Sequence, residues 1–339
     1  MGLRWKYRPD GSNWGDFGDD DQHGRMNLIT EHVRRRALEE VTDGRSFCLS
    51  LPLDLPGGKV LNPRRGPPEF HPIERDGHVA FNLQMSRIEP NFTDVHSDEA
   101  VLLYNQYSTH WDGFAHKGAV FDINGDGNPQ PVFYNGFQIA DEQGNGTQGT
   151  LGAIAVSVAE MAETCVQGRG VMIDLRYHLG DERVDVDFDI LSRILEADKI
   201  VVEEGDIVCF HTGLGDLIMK SRGNPDPALR TRCAVLDGSD QRLLDWITDT
   251  GVAAIAADNL AVERSSTLGS PAHCCDVSTA LPLHRHCLFK LGVHLGELWY
   301  LTDLAVWLRN HRRSRFLLTA PPLRLPGAAG APVTPVATV

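Results

Sequence analysis

The chain has 339 residues, of which 32 are Lys or Arg and 46 are Asp or Glu, giving a formal charge of −14 with 42 % hydrophobic residues. This is a globular composition with enough chain to bury one substantial core, so disorder and a disulfide-stapled miniprotein are excluded. The acidic balance argues against nucleic acid or an anionic membrane as partner, because the densest basic run, Arg309 to Arg315, holds only four arginines.

From Trp14 to Asn27 the sequence is rich in Gly and Asp without periodicity and reads as a loop. Thr30 is a suitable cap for a helix whose apolar rhythm is Val33, Ala37, Leu38 and Val41, and residues 47–55 (FCLSLPLDL) read as a strand. Residues 57–75 carry many prolines and glycines and predict a long surface excursion, a lid or a subunit contact. From residue 150 helix and strand alternate. A helix is predicted at 154–165 and a strand at 171–175, then a helical face of Ile190, Leu191, Ile194 and Leu195. A strand at 206–212, a helix marked by Leu243, Leu244 and Ile247, and a strand at 252–257 follow. Such alternation predicts an α/β fold with a mixed sheet. Without a repeat or a clean linker, the reading is one domain over residues 1–320 and a Pro/Ala/Gly-rich tail, 321–339, running extended over its own or a neighbouring subunit.

The opening Met-Gly-Leu-Arg-Trp-Lys lacks the apolar stretch of a secretion signal, and no segment approaches the roughly 20 apolar residues of a membrane span. Seven cysteines at irregular spacings, an odd number, fit free thiols better than a disulfide framework. A cytoplasmic protein is the expectation.

The most informative run is Gln106-Tyr-Ser-Thr-His110-Trp-Asp112-Gly-Phe-Ala-His116. In an extended chain His110 and Asp112 point the same way, with Gln106 four residues back on the same side. An imidazole, a carboxylate and an amide converging on one point suit Zn²⁺ or Mn²⁺ with positions left open for water. A hydrogen-bonded structural pair fits the same spacing. A second cluster, His284-Arg285-His286 followed by His294 and Glu297, sits in an otherwise apolar stretch where ionisable groups are costly unless paired or metal-bound. The competing reading has both of the first two histidines partly exposed and Glu297 bridged to Arg285. Asp122 to Gly127 imitates a calcium loop, but Phe133 stands at the twelfth position, so an Asx-rich turn is expected. His273-Cys274-Cys275 lacks a second Cys pair, residues 144–149 lack the context of a phosphate loop, and no nucleophile elbow is present.

The run STHWDGFAH resembles the His-x-Gly-Thr-His-x-Asp-x-Pro-x-His signature of the cyclase family of metal-dependent amide, lactam and ester hydrolases, which includes kynurenine formamidase and isatin hydrolase. The resemblance extends to WGDFGDDDQHGRMNLIT, GRGVMIDL, EEGDIVCFHTG, AADNLAVE and HCLFKLGVHLGELWYL, in the family's order. It implies a swivelling β/β/α architecture, a mixed sheet or barrel-like β core with helices outside, and a homodimer or homotetramer acting on a small molecule. By the same resemblance His110 and Asp112 are metal ligands and His116 moves protons. Glu297 serves at the site with His286 as companion, or less readily His284. Gln106 replaces the family's first His ligand, Ser108 a Gly and Phe114 a Pro. The expected centre is therefore one Zn²⁺ or Mn²⁺ per chain on Gln106, His110, Asp112 and Glu297. His116, His286 and Glu297 would be catalytic, with His286 steadying an oxyanion. Trp111 and Phe114, which flank the ligands, are expected to wall the substrate ring, with a structural core role the equal alternative for Trp111. Hydrolysis of a cyclic or aryl amide, lactam or lactone is the leading expectation. A metal-dependent cyclase or lyase without net hydrolysis and a non-catalytic descendant of the fold are the alternatives.

Overall fold

A curled nine-stranded mixed sheet, forming a half-barrel, is built chiefly from the alternating second half of the chain. The computed structural model describes residues 4–140, 151–264 and 279–339, so Cys274, Cys275 and the 144–149 loop lie outside the described residues. In chain order the strands are β1 (Ser46–Cys48), β2 (His110–Asp112), β3 (Gln167–Asp174), β4 (Ile207–His211) and β5 (Ala254–Ala257). They continue with β6 (His294–Glu297), β7 (Arg315–Thr319), β8 (Gly330–Pro332) and β9 (Val336–Thr338). Their order across the sheet is β1-β9-β7-β3-β4-β5-β6-β2-β8. Strands β3 to β6 are mutually parallel, and the flanking pairs are antiparallel.

Parallel strands are buried on both faces, which explains their unbroken apolar runs. Alternate residues face opposite sides: Val171, Ile173, Val208, Phe210 and Ile255 join one core cluster, while Met172, Ile207, Cys209 and Ala256 join the other. The helices are α1 (Glu31–Leu38), α2 (Val158–Glu163), α3 (Phe188–Asp198), α4 (Leu214–Ser221), α5 (Gln241–Thr250) and α6 (Thr302–Asn310). Side chains cap their first turns: Thr30 accepts from Val33 N, Asp187 from Ile190 N and Asp240 from Arg242 N. The expected helix at 154–165 shortens to α2 because Ser157 caps it, accepting from Ala159 N. The strand predicted at 47–55 forms a ladder over Ser46–Cys48 and one isolated bridge from Ser50 to Trp299, and Leu49, Leu51 and Leu55 are buried. Pro52 and Pro56 account for the interruption, since proline gives a ladder no donor.

Four features beyond the parallel strands matter. The excursion forms an arm on which Glu69–Pro72 pairs antiparallel with Glu99–Leu102, every residue of both strands exposed. The tail after Pro321 supplies β8 and β9, so it is woven into the main sheet. The Asp-rich opening loop is held against the core at one close approach: Arg25 N donates to Gly292 O at 2.7 Å, and a Cβ on Gly24 would collide with the Gly292 backbone. The Asp122 turn is an Asx turn, the carboxylate accepting from the backbone N–H groups of residues 124 to 127.

Two buried histidines make the core acid-sensitive. Burial lowers the pKa of both His286 and His294 to about 4. Between that value and the ordinary 6.5 the unfolded chain binds more protons than the folded one, so stability is complete above about pH 6.5 and declines as pH falls towards 4. Each site contributes on the order of 3 kcal/mol to that loss. Urea unfolding midpoints should fall steeply between about pH 6.5 and 4, and His286→Gln should flatten part of the slope.

Candidate active site

Strand β2 lies between β6 and β8, and its register decides what meets what. His110 stands opposite Glu297 and Pro332, while Trp111 stands opposite Gly296 and Ala331. Directly opposed residues on an antiparallel pair share a face with Cβ atoms about 5 Å apart, so His110 and Glu297 are brought together by backbone pairing alone. Asp112, two residues on, joins them on that face. Trp111 turns to the other side, wholly buried against Trp299 with ring centroids 5.0 Å apart, and its Nε1 donates to Ala320 O at 2.8 Å. Phe114 is equally buried, stacked on His294 at 4.0 Å. Neither ring walls a substrate as expected; both are core.

Four side chains converge around Asp112. His110 Nε2 lies 3.6 Å from Asp112 Oδ1 and 3.8 Å from Glu297 Oε2. His116 Nε2 and His284 Nε2 each lie 3.7 Å from Asp112 Oδ2, and His284 Nε2 is 3.3 Å from Glu297 Oε1. His110, Asp112 and His284 are almost fully buried, whereas the His116 side chain is 25 % exposed and so marks the mouth of the site. His110 and His284 are oriented from behind. The Nδ1 of His110 is 2.7 Å from Ser108 O, and that of His284 is 2.8 Å from Glu263 Oε1. A donor Nδ1–H in His110 leaves its Nε2 lone pair aimed into the cluster, and the Glu263 anchor turns His284 Nε2 towards Asp112 and Glu297.

His286 is not part of it. The ring faces away, with Nε2 2.9 Å from Thr248 Oγ1. Pro282 opens a helical segment that runs through Arg285–Leu291, and positions two apart on a helix diverge by about 200°. Only one of the two histidines can therefore face the site, and it is His284. Pro282 at a first helical turn was the signal for this in the sequence. Glu297 pairs with His284 and His110, and no ion pair to Arg285 forms.

Gln106 also differs from expectation. Its Nε2 donates to Asp112 Oδ1 and lies 2.8 Å from His116 Nδ1, while Oε1 accepts from Arg65 at 3.4 Å. An amide nitrogen has no lone pair for a metal, so in this arrangement Gln106 is a hydrogen-bond donor inside the site and its oxygen serves Arg65. Glu263 and Arg65 are the residues that sequence reasoning missed. Glu263 is wholly buried and accepts from the backbone N–H groups of Leu283 and His284 as well as from the ring.

The electrostatics are strongly coupled. Burial works against ionising Asp112, but His116, His284 and His110 outweigh it and hold the carboxyl well below the usual range. Burial likewise opposes the His284 imidazolium, yet the surrounding carboxylates of Asp112, Glu263 and Glu297 raise its pKa well above the ordinary value. Burial pushes the His116 pKa down, leaving a neutral ring near pH 7.

The residues present fit a divalent cation. Two groups of potential ligands, His110/Asp112/Glu297 and Asp112/His116/His284, each hold their donor atoms within 4.8 Å of one another and share Asp112. Two donor atoms inside them, His110 Nε2 and Asp112 Oδ2, are buried with no hydrogen-bond partner. Unpartnered buried atoms cost free energy, and a cation between them would satisfy both at once.

The sequence profile of the Cyclase family matches residues 49–264. The fold superposes on the crystal structure of a novel cyclase with TM-score 0.75 and 28 % identity, covering 97 % of each chain. Isatin hydrolase A from Labrenzia aggregata, solved bound to benzyl benzoate, has a similar fold at TM-score 0.54 and 16 % identity, covering 87 % of this chain and 93 % of its own. Isatin hydrolase A from Ralstonia solanacearum gives TM-score 0.52 and 15 % identity over 86 % and 91 %. No curated protein matches the sequence. With the profile match spanning well over half of the chain and strands β2 to β5, the chain belongs to the cyclase family.

Proposed function

We propose that this protein is a metal-dependent hydrolase that opens a cyclic or aryl amide, lactam or lactone, with one Zn²⁺ or Mn²⁺ held by His110, Asp112 and Glu297. The single observation that carries the reading is the pair of unpartnered buried donors, His110 Nε2 and Asp112 Oδ2, aimed at one point beside a second buried carboxylate. When bound, such an ion supplies a water of lowered pKa and polarises a carbonyl.

The chain's own residues divide the remaining work. Gln106 offers its amide nitrogen to His116 Nδ1, so the neutral ring carries its proton on Nε2. Protonated by the proton that the attacking water loses, the ring at the mouth of the site gives an N–H proton to the departing nitrogen or oxygen of a substrate and returns to the neutral form. Arg65 keeps the amide from turning over by donating to its oxygen. His284, held as an imidazolium by Glu263, places a positive charge beside Asp112 and Glu297 and takes the oxyanion-steadying role first assigned to His286. Among the described residues no helix is long and apolar enough to cross a membrane. A small-molecule substrate in the cytoplasm is part of the same proposal, with no nucleic acid or membrane partner.

The homodimer or homotetramer is proposed to form through the arm, whose exposed Phe70, Phe81, Phe92 and Val101 have no covering element within the described chain.

Added Zn²⁺ or Mn²⁺ should raise the melting temperature of the metal-stripped protein, and elemental analysis should find about one ion per chain. Asp112→Ala should abolish both signals. His116→Ala should keep the metal while lowering turnover on a panel of formanilides, lactams and lactones by about 100-fold or more. Equal metal loss in the two variants would make His116 a ligand and overturn its role as acid. In ¹⁸O-labelled water the product must carry label; an unlabelled product would favour the ring-closing or lyase alternative. Light scattering of Phe70→Ser/Phe81→Ser should report a smaller species than the parent chain, and an unchanged mass would remove the arm from the interface.

A further inference from the structure

We propose that a second site, which shares no residue with the histidine cluster, binds a small organic phosphate. It is a cavity of about 510 Å³ between the carboxy-terminal end of β3, the end of α3 and the end of α6. In a chain of net charge −14, its walls carry Lys199, Arg309, Arg312 and Arg313 against only Asp174 and Asp198. An adjoining cleft of about 400 Å³ shares Lys199, Arg312 and Arg313 and adds Arg315 with one carboxylate, Glu40.

The cations are not equivalent. Arg309 is committed: it donates to Asp174 at 2.9 and 3.1 Å, and its guanidinium sits 3.4 Å from the centre of the Tyr177 ring. Arg313 leans on Glu40 and Asp43 at 3.7 and 3.5 Å, and Arg315 reaches Glu203 at 3.8 Å. Among the described residues Lys199 and Arg312 have no carboxylate within 4.0 Å, so two positive charges of the wall are uncompensated.

Their backbones sharpen the point. Lys199 closes α3 at φ 54° and Arg312 follows α6 at φ 56°, both in the left-handed region where glycine is the unstrained choice. A cation at a helix end is favoured by the helix dipole. That preference does not account for two strained cations on different elements facing one cavity without partners. Two uncompensated charges match a phosphate dianion, with the neighbouring Ser314 hydroxyl available as a further donor. The rest of the wall includes Met172, Ile200 and Leu308, which would pack against an apolar body and favour an organic ester over the bare ion.

The probes are inorganic phosphate, phenyl phosphate, benzoate and chloride at equal ionic strength, titrated calorimetrically and by thermal shift into the full chain. Phenyl phosphate should bind tightest and phosphate next, with benzoate and chloride indistinguishable from each other. Lys199→Gly and Arg312→Gly should each weaken phenyl phosphate about tenfold. Both should melt at or above the parent temperature, because glycine relieves the backbone. Phosphates that stabilise no better than chloride, benzoate that matches phenyl phosphate, or glycine variants that melt lower with the phosphate response intact would overturn the proposal. The readouts are independent of activity, so failure here leaves the hydrolase reading standing.

Discussion

Two carboxylates placed face to face in a dry cleft are the constraint to which the rest of this molecule answers. The pairing of β6 with β2 sets Glu297 opposite His110 and beside Asp112, and neither acid reaches bulk water. Buried like charges at this range are tolerable only if opposite charge or strong donors surround them. The surroundings comply: His284 is held as an imidazolium between them, Glu263 fixes that ring, Gln106 donates to Asp112, and His110 keeps a lone pair directed inward. The same pressure that stabilises a proton on His284 also makes the cleft attractive to a cation, so charge balance and metal affinity have one origin.

The replacement of the family's first histidine by Gln106 becomes intelligible in those terms. An imidazole there would bring another lone pair to the cluster, whereas the amide brings N–H groups and needs an anchor for its oxygen. Arg65 is that anchor. Its guanidinium lies at the root of the arm, so the segment that leaves the body as an exposed ribbon is tied at its base to the ring that marks the mouth of the site.

Much of this was legible in the sequence, unevenly. Period-two spacing of His110 and Asp112 is a local property and needed only an extended chain, which β2 provides. The apolar runs at 171–175, 206–212 and 252–257 announced strands because a buried parallel sheet leaves little room for polar residues. Glu297 stood out as a charge without an evident partner. What failed was orientation. His284 and His286 differ by a helical rotation that composition does not show, Phe114 was assigned to the wrong side of its turn, and for Trp111 the core role, one of two open readings, is the one the fold takes. Glu263 and Arg65 could not be found by spacing, since each reaches the site from more than twenty residues away in sequence through a fold-level contact.

The sheet order carries a last implication, about when the site comes into being. Strand β2 is bordered by β6 on one side and β8 on the other, so the ligand strand near residue 110 gains its neighbours only from residues 294–297 and 330–332. A nascent chain emerging from the ribosome would hold His110 and Asp112 as an unpaired ribbon until residues 294–332 had been made. The proposed cation would meet an incomplete set of donors until Glu297 had joined His110 and Asp112.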